Sequence, residues 1–377
     1  MRSRLVGAAA TVLAALACTT PHVATAAAGP GSLSIHGNRV VDAHGKTIVL
    51  RGIHRAYIDD PHATGGEVSL DEIALATTGR PGSWHANLLR IPMGSAQWTG
   101  ECPLLYSATK AYRSNIDALV KRVTDRGVVA LLDLHVSTAG CTSIGRHAMP
   151  DAPITQHFWA DVATHFAHNP LVAFELYNEP HNTSDTIWQS GTTQRAPLDC
   201  PMSTPAGALA LPCALPLYRA VGMQELYDLV AAKAPHHLIV IDGPGWAANV
   251  SSKPVHGSFV YGVHPYSCSV PGAACDTTAK AHANTALLNR WKGVARNQPV
   301  LATELGWPSY APTGYVEGGA FYRETLAFFQ KQSPQWGFAA FAWDGGATSG
   351  FSMVKDTGSY APNSTAKPVF DLLRKTA

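Results

Sequence analysis

The run Leu171-Val-Ala-Phe-Glu-Leu-Tyr is mostly apolar and ends in Asn178-Glu179-Pro180. Proline cannot donate to a sheet ladder, so Pro180 turns the chain out of the strand and leaves the Glu179 carboxylate at its tip. A second tip carboxylate, Glu304, ends Pro299-Val-Leu-Ala-Thr-Glu, 125 residues downstream. Two carboxylates on two strand ends suit displacement at an acetal carbon. One is protonated and donates to the leaving oxygen; the other is ionised and attacks. The pair predicts retaining glycoside hydrolysis, with a carboxyl separation of ~5 Å rather than the roughly 6.5–9.5 Å of inverting enzymes.

Elements that would place these groups recur along the chain. Eight short apolar runs occur at 49–54, 87–92, 128–135, 171–179, 238–242, 259–266, 300–304 and 337–343. Helix-like stretches lie between them, including 111–126, 155–168, 217–233, 278–296 and 318–332. This alternation predicts a single-domain α/β fold, a (β/α)8 TIM barrel. Residues 33–42 read as a short N-terminal β-hairpin turning at Gly37-Asn38, placed to close the barrel bottom. Side chains two apart share a strand face. Asp133 and His135 therefore pair, as do Glu175, Tyr177 and Glu179, and His264 and Tyr266. Asp133 and Glu175 are expected one layer deeper, as buried structural carboxylates.

Length and charge bound the rest. The chain has 377 residues and a formal net charge of +2, with no basic stripe, which argues against nucleic acid or anionic membrane as a partner. Arg2 and Arg4 precede an apolar stretch from Leu5 to Ala17, too short to span a bilayer, and Ala24-Thr25-Ala26 is an A-x-A cleavage signal. Residues 1–26 are read as a secretory signal peptide, and 27–377 as the exported catalytic domain, expected to be monomeric and free of membrane once the signal is removed. Six cysteines remain: Cys102, Cys141, Cys200, Cys213, Cys268 and Cys275. An even number in an exported chain suggests disulfides, with 15 possible connectivities. Cys200–Cys213 and Cys268–Cys275 are local pairs, and Cys102–Cys141 follows by subtraction. No C-x-x-C or tight Cys/His cluster supports a metal.

Active sites of such barrels gather at the C-terminal strand ends. Those ends carry Arg90, His135, Asn178, Glu179, His264, Tyr266, Glu304 and Trp343. The set resembles glycoside hydrolase family 5, the cellulase-like family of clan A, from Arg51 to Trp343. The resemblance implies Glu179 as general acid/base and Glu304 as nucleophile. It implies Arg90 as the hydrogen-bond partner of the nucleophile and Asn178 as a contact to the substrate 2-hydroxyl. His135, His264 and Tyr266 match further polar site residues, and Trp343 a sugar-stacking platform. Trp98, Trp188, Trp246, Trp307 and Tyr310 are aromatic candidates for further subsites, Trp307 foremost. Glu101 and Asp344 are weaker polar candidates. The excursion 181–216 is expected as a wall or lid over the cleft.

The expected substrate is a β-linked oligo- or polysaccharide, most simply cleaved as by an endo-β-1,4-glucanase. A β-mannanase, a β-1,3- or β-1,6-glucanase and an exo-β-glucosidase remain open on the same barrel. A non-catalytic glycan-binding barrel is the reading from another class, disfavoured by the retained carboxylates and Arg90. No H-E-x-x-H, G-x-S-x-G or Walker A pattern is present, and no cofactor is implied.

Overall fold

The computed structural model describes residues 31–59, 68–78, 80–103, 109–198, 217–266, 283–307, 319–343 and 351–376. The signal-peptide stretch, Cys200, Cys213, Cys268, Cys275, Tyr310 and Asp344 lie outside the described residues.

The chain enters through the antiparallel hairpin β1 (Ser34–His36) and β2 (Arg39–Val41). Its turn uses Gly37 at φ +60°, a conformation open to glycine without steric cost. The barrel strands follow: β3 (Arg51–His54), β4 (Leu88–Gly94) and β5 (Val129–Thr138). A two-residue strand, β6 (Ile144–Gly145), folds back antiparallel on the end of β5. Then come β7 (Val172–Glu175), β8 (Ile239–Asp242), β9 (Val260–Gly262), β10 (Val300–Gly306) and β11 (Gly337–Phe341). Apart from β6, neighbours pair in parallel, and β11 pairs with β3 to close an eight-stranded barrel. All eight apolar runs are barrel strands.

Helices pack between them, among others Thr109–Thr124, Ala152–Phe166, Met223–Lys233, Thr285–Val294 and Gly319–Gln330. The stretch expected as helix from 217 starts only at Met223. Residues 218 and 220 are instead bridged to Ala196 and Asp151, and Gly222 is the N-cap.

Strand periodicity sorts the core into two layers. Leu88, Leu131, Ala173, Val240, Val260, Leu301 and Ala339 fill the barrel interior, and hairpin residues Leu33 and Val40 cluster with them. The hairpin therefore plugs the barrel bottom. Alternate residues such as Leu89, Leu132, Phe174 and Ile241 face outward into the larger layer beneath the helices. With the lower barrel apolar, polar side chains concentrate toward the opposite end.

Two strands run further than their apolar runs suggest. β4 continues to Gly94 and β5 to Thr138, so Arg90 and His135 lie within strands rather than at their last residues. Beyond them a Cys102–Cys141 disulfide joins the segments that follow β4 and β5. This staple holds two loops of the C-terminal face together.

Candidate active site

β7 delivers the first carboxylate. The ladder persists past its last residue: the N–H of Leu176 donates to Val240 O and that of Asn178 to Leu134 O, each at 3.0 Å. At Glu179 the backbone turns left-handed, with φ +52°, before Pro180. Strict alternation would send Asn178 to the opposite face from Glu179. Instead, Asn178 Oδ1 accepts from Arg90 Nη2 at 2.9 Å, so both residues serve the same mouth. Glu304 sits within β10, buried like Glu179.

Arg90 is fully buried and joins the groups. Its Nη1 donates to Glu304 Oε1 at 2.5 Å and lies 2.7 Å from His54 Nδ1. Its Nε and Nη2 grip Glu175 at 2.6 and 3.0 Å, and Nη2 also reaches Asp133 Oδ2 at 2.9 Å. Asp133 in turn holds His135 Nδ1 at 2.7 Å. Asp133 and Glu175 thus form the deeper layer, oriented around the guanidinium.

The other oxygen of Glu304 accepts from Tyr266 Oη at 2.6 Å. His264 stands between the carboxylates, with Nδ1 2.8 Å from Glu179 Oε1 and 3.6 Å from Glu304 Oε2. One oxygen of each carboxylate and a His264 nitrogen all lie within 4.8 Å of one another. The two carboxylates are therefore close neighbours across the mouth of the barrel.

The electrostatics divide the groups. Burial raises the Glu304 carboxyl, but the cationic His264 and Arg90 outweigh it and hold it well below the usual carboxylate range. Burial, then the charges on Glu304 and Glu179, push the Tyr266 phenol well above its usual range, so it stays a donor. Burial and neighbouring Arg90 hold His54 neutral. Burial and Glu175 raise Asp133 to about 6 against the opposing pull of Arg90 and His135. Other donor sets close enough for a cation are His54–His135–Glu304 and Glu175–Asp242–His264. Arg90 already pairs with Glu304 of the first set and Glu175 of the second.

Burial favours neutral His264, but Glu304, Asp242 and the bond to Glu179 prevail and raise it from 6.5 to about 10. The fold therefore prefers the protonated ring. Its contribution is complete below pH 6.5 and is lost as pH rises through about 10. The melting temperature is expected to fall across that alkaline window, and His264→Gln to flatten the fall. Calorimetry at stepped pH checks this; parallel profiles for the two proteins would reject it.

The aromatic candidates separate by burial. Trp98 and Trp188 are fully buried, their indole N–H groups donating to Asp161 Oδ2 and Asp242 O, each at 3.0 Å. These two are core residues. Trp188 comes from the helix Asp185–Ser190, capped by Ser184, which gives the segment after Glu179 some regular structure. Trp307 is buried against Phe321, and Trp343 is buried and stacked on Tyr360 at 4.4 Å. Trp246 is half-buried and stacks on His181 at 3.6 Å. Glu101 pairs with His157 rather than with the carboxylate cluster.

Sequence reasoning missed His54 and Asp242, although both end barrel strands and the strand-tip rule would have found them. It also missed Tyr57, exposed at φ +67° just after β3, and Arg146, just after β6. Burial opposes the charge on Arg146, but Glu304, Glu179, Asp59 and Tyr266 raise its pKa, which places it within their field.

A closed parallel barrel with paired carboxylates near its C-terminal strand ends defines the class of barrel glycosidases. Residues 41–344 match the family model Cellulase (glycosyl hydrolase family 5). The chain belongs to glycosyl hydrolase family 5. Among curated relatives, a mannan endo-1,4-β-mannosidase of Streptomyces lividans is 27% identical over 176 residues, covering 46% of this chain and 39% of the relative. Endoglucanase A of Butyrivibrio fibrisolvens is 25% identical over 161 residues, covering 42% and 33%. The chain therefore spans well under half the length of these relatives. A β-glucanase of Saccharophagus degradans, solved with cellotetraose, superposes with a TM-score of 0.63 at 19% identity over 92% of this chain and 94% of that one. The endoglucanase catalytic domain of Thermobifida fusca gives 0.62 at 17% over 91% and 97%. These structures share the fold. Among the described residues, no helix is long and apolar enough to cross a membrane.

Proposed function

We propose that the protein is a secreted, retaining β-glycosidase of the endo-β-1,4-glucanase type, acting by double displacement. The observation that carries the reading is the 4.8 Å grouping of Glu179, Glu304 and His264, with Arg90 on Glu304. Glu304 is the nucleophile: Arg90 and Tyr266 hold its two oxygens, and His264⁺ and Arg90 keep it ionised. Glu179 is the general acid. It protonates the departing glycosidic oxygen, and once the glycosyl ester has formed it serves water as base. Asn178 Nδ2, buried and without a partner among the described residues, is positioned as a donor to the sugar 2-hydroxyl. Half-buried Trp246 and exposed Tyr57 offer ring faces for sugars beyond the cleavage point.

The endoglucanase relative and the glucanase fold neighbours favour β-1,4-glucan. The mannosidase relative supports β-mannan as the second reading. Residues 1–26 are the export signal, and the Cys102–Cys141 bridge suits an oxidising compartment.

Glu179→Gln is expected to abolish hydrolysis of unactivated glucan, a loss of about 10²–10⁴-fold for an absent general acid. Glu179→Ala should regain turnover of dinitrophenyl β-cellobioside on adding azide and release the β-glycosyl azide. Unchanged activity in Glu179→Gln, or no azide product, rejects the assignment. Product sizes from cellulose derivatives, cellotetraose and mannan decide the substrate.

A further inference from the structure

Glu179 is held from two sides. Its carboxylate meets His264, and its backbone N–H donates to Asp242 Oδ2 at 3.0 Å. The same Asp242 oxygen lies 3.4 Å from His264 Nε2. Asp242 Oδ1 accepts from Thr303 Oγ1 at 3.3 Å, and that hydroxyl lies 3.0 Å from His264 Nε2. One carboxylate therefore touches the backbone of Glu179, the ring that faces its side chain and the hydroxyl beside that ring.

Asp242 ends β8 and is fully buried. Its own carbonyl is anchored by the indole N–H of Trp188 at 3.0 Å. The neighbouring strand makes space for it. A Cβ on Gly262 would fall 1.9 Å from Asp242 Oδ1, so any larger residue there would displace the carboxylate. The group held this way has a left-handed backbone that non-glycine residues seldom adopt. Such a conformation persists only where its surroundings over-determine it. Here the N–H of the strained residue has a fixed, buried acceptor.

We propose that Asp242 is a positioning residue that locks Glu179 into its left-handed turn and so aims the acid/base carboxyl at the glycosidic oxygen. The inference rests on the reading of Glu179 as general acid/base. Asp242 touches no substrate; it acts through Glu179 and His264.

The test exploits leaving groups. A cellotetraose bond needs a proton on its departing oxygen, whereas dinitrophenolate leaves without one. Asp242→Ala in the full-length protein is expected to lower kcat/KM for cellotetraose by about 10²-fold, the cost of a misplaced catalytic group. On dinitrophenyl β-cellobioside, kcat/KM should change by less than about tenfold, since little general-acid assistance is at stake. Gly262→Ala, which moves the carboxylate without removing it, should reproduce this split. Asp242→Asn keeps an acceptor oxygen and should restore most of the cellotetraose activity. Equal losses on both substrates in Asp242→Ala and Gly262→Ala, or Asp242→Asn as damaging as Asp242→Ala, overturn the proposal. If Asp242→Ala does not fold, Gly262→Ala and Asp242→Asn decide it. Absent azide rescue in Glu179→Ala would instead refute the reading of Glu179, so the two failures are distinguishable.

Discussion

Glu304→Ala is expected to reduce turnover on the order of 10⁵–10⁶-fold, the scale seen when a covalent nucleophile is deleted. The fold should survive, because Arg90 keeps Glu175, Asp133 and Asn178 as partners. The loss arises because no other carboxylate is placed to form the ester. On the proposed reading Glu179 serves the leaving group, and Asp133 and Glu175 are held by Arg90. The signature is stereochemical. Azide can enter the space of the missing side chain and attack from the nucleophile's face, giving the α-glycosyl azide, the opposite anomer to that from Glu179→Ala. Proton NMR of the products reads this directly. In the wild-type protein the first-formed sugar should be the β-anomer. An α-anomer there, or Glu304→Ala within about tenfold of wild type where deletion of a nucleophile demands far more, excludes double displacement through Glu304.

The second large effect falls on stability. Arg90→Ala leaves Asp133, Glu175 and Glu304 facing one another in a site with no accessible surface at the guanidinium. Removing one member of a buried ion network costs about 3–5 kcal/mol, because the remaining charges stay desolvated. That corresponds to a melting-temperature drop of about 4–7 °C for a chain of this size. Arg90→Lys keeps the charge but not the planar fork that grips Glu175 through Nε and Nη2 while Nη1 serves Glu304. It should fold better than Arg90→Ala and still lose about 10²–10³-fold in kcat, the cost of one preorganised donor at a charged centre. The pH dependence follows from Asp133. Even beside Arg90 its folded pKa is raised, from 3.8 to about 6. A raised carboxylate binds protons more tightly when folded, so its stabilising contribution is lost as pH rises through that window. Removing Arg90 deepens this trend, and the Arg90→Ala deficit should be smaller at the acidic end. A variant that melts like wild type at every pH would show that Arg90 does not hold the network together.

The strand ends show how far local pattern reaches. Tip reading placed Arg90, His135, Asn178, Glu179, His264, Tyr266, Glu304 and Trp343 in one region; the barrel gathers the first seven by hydrogen bonds and the His264–Glu304 ion pair, whereas Trp343 stacks on Tyr360. It passed over His54 and Asp242, although both end barrel strands. Their use appears only across strands, where His54 faces Arg90 and Asp242 faces the N–H of Glu179. The aromatic residues were less legible still. Composition cannot distinguish Trp188, sealed under Asp242, from Trp246, lying open on His181.

By itself, the sequence determined the eight strands, the plugging hairpin and the two carboxylates. These depend on short-range periodicity and on where proline stops a ladder. The tertiary structure decided the rest. Closure of the barrel set the spacing between Glu179 and Glu304, which come from strands far apart in the chain. Convergence of Asp133, Glu175 and Glu304 on one guanidinium decided how these buried anions are balanced. The left-handed turn at Glu179 overrode strand alternation and brought Asn178 to the same mouth, because the ladder ends there and the next residue cannot continue it. Distances and dielectric are properties of the packed barrel, and no local window of residues contains them.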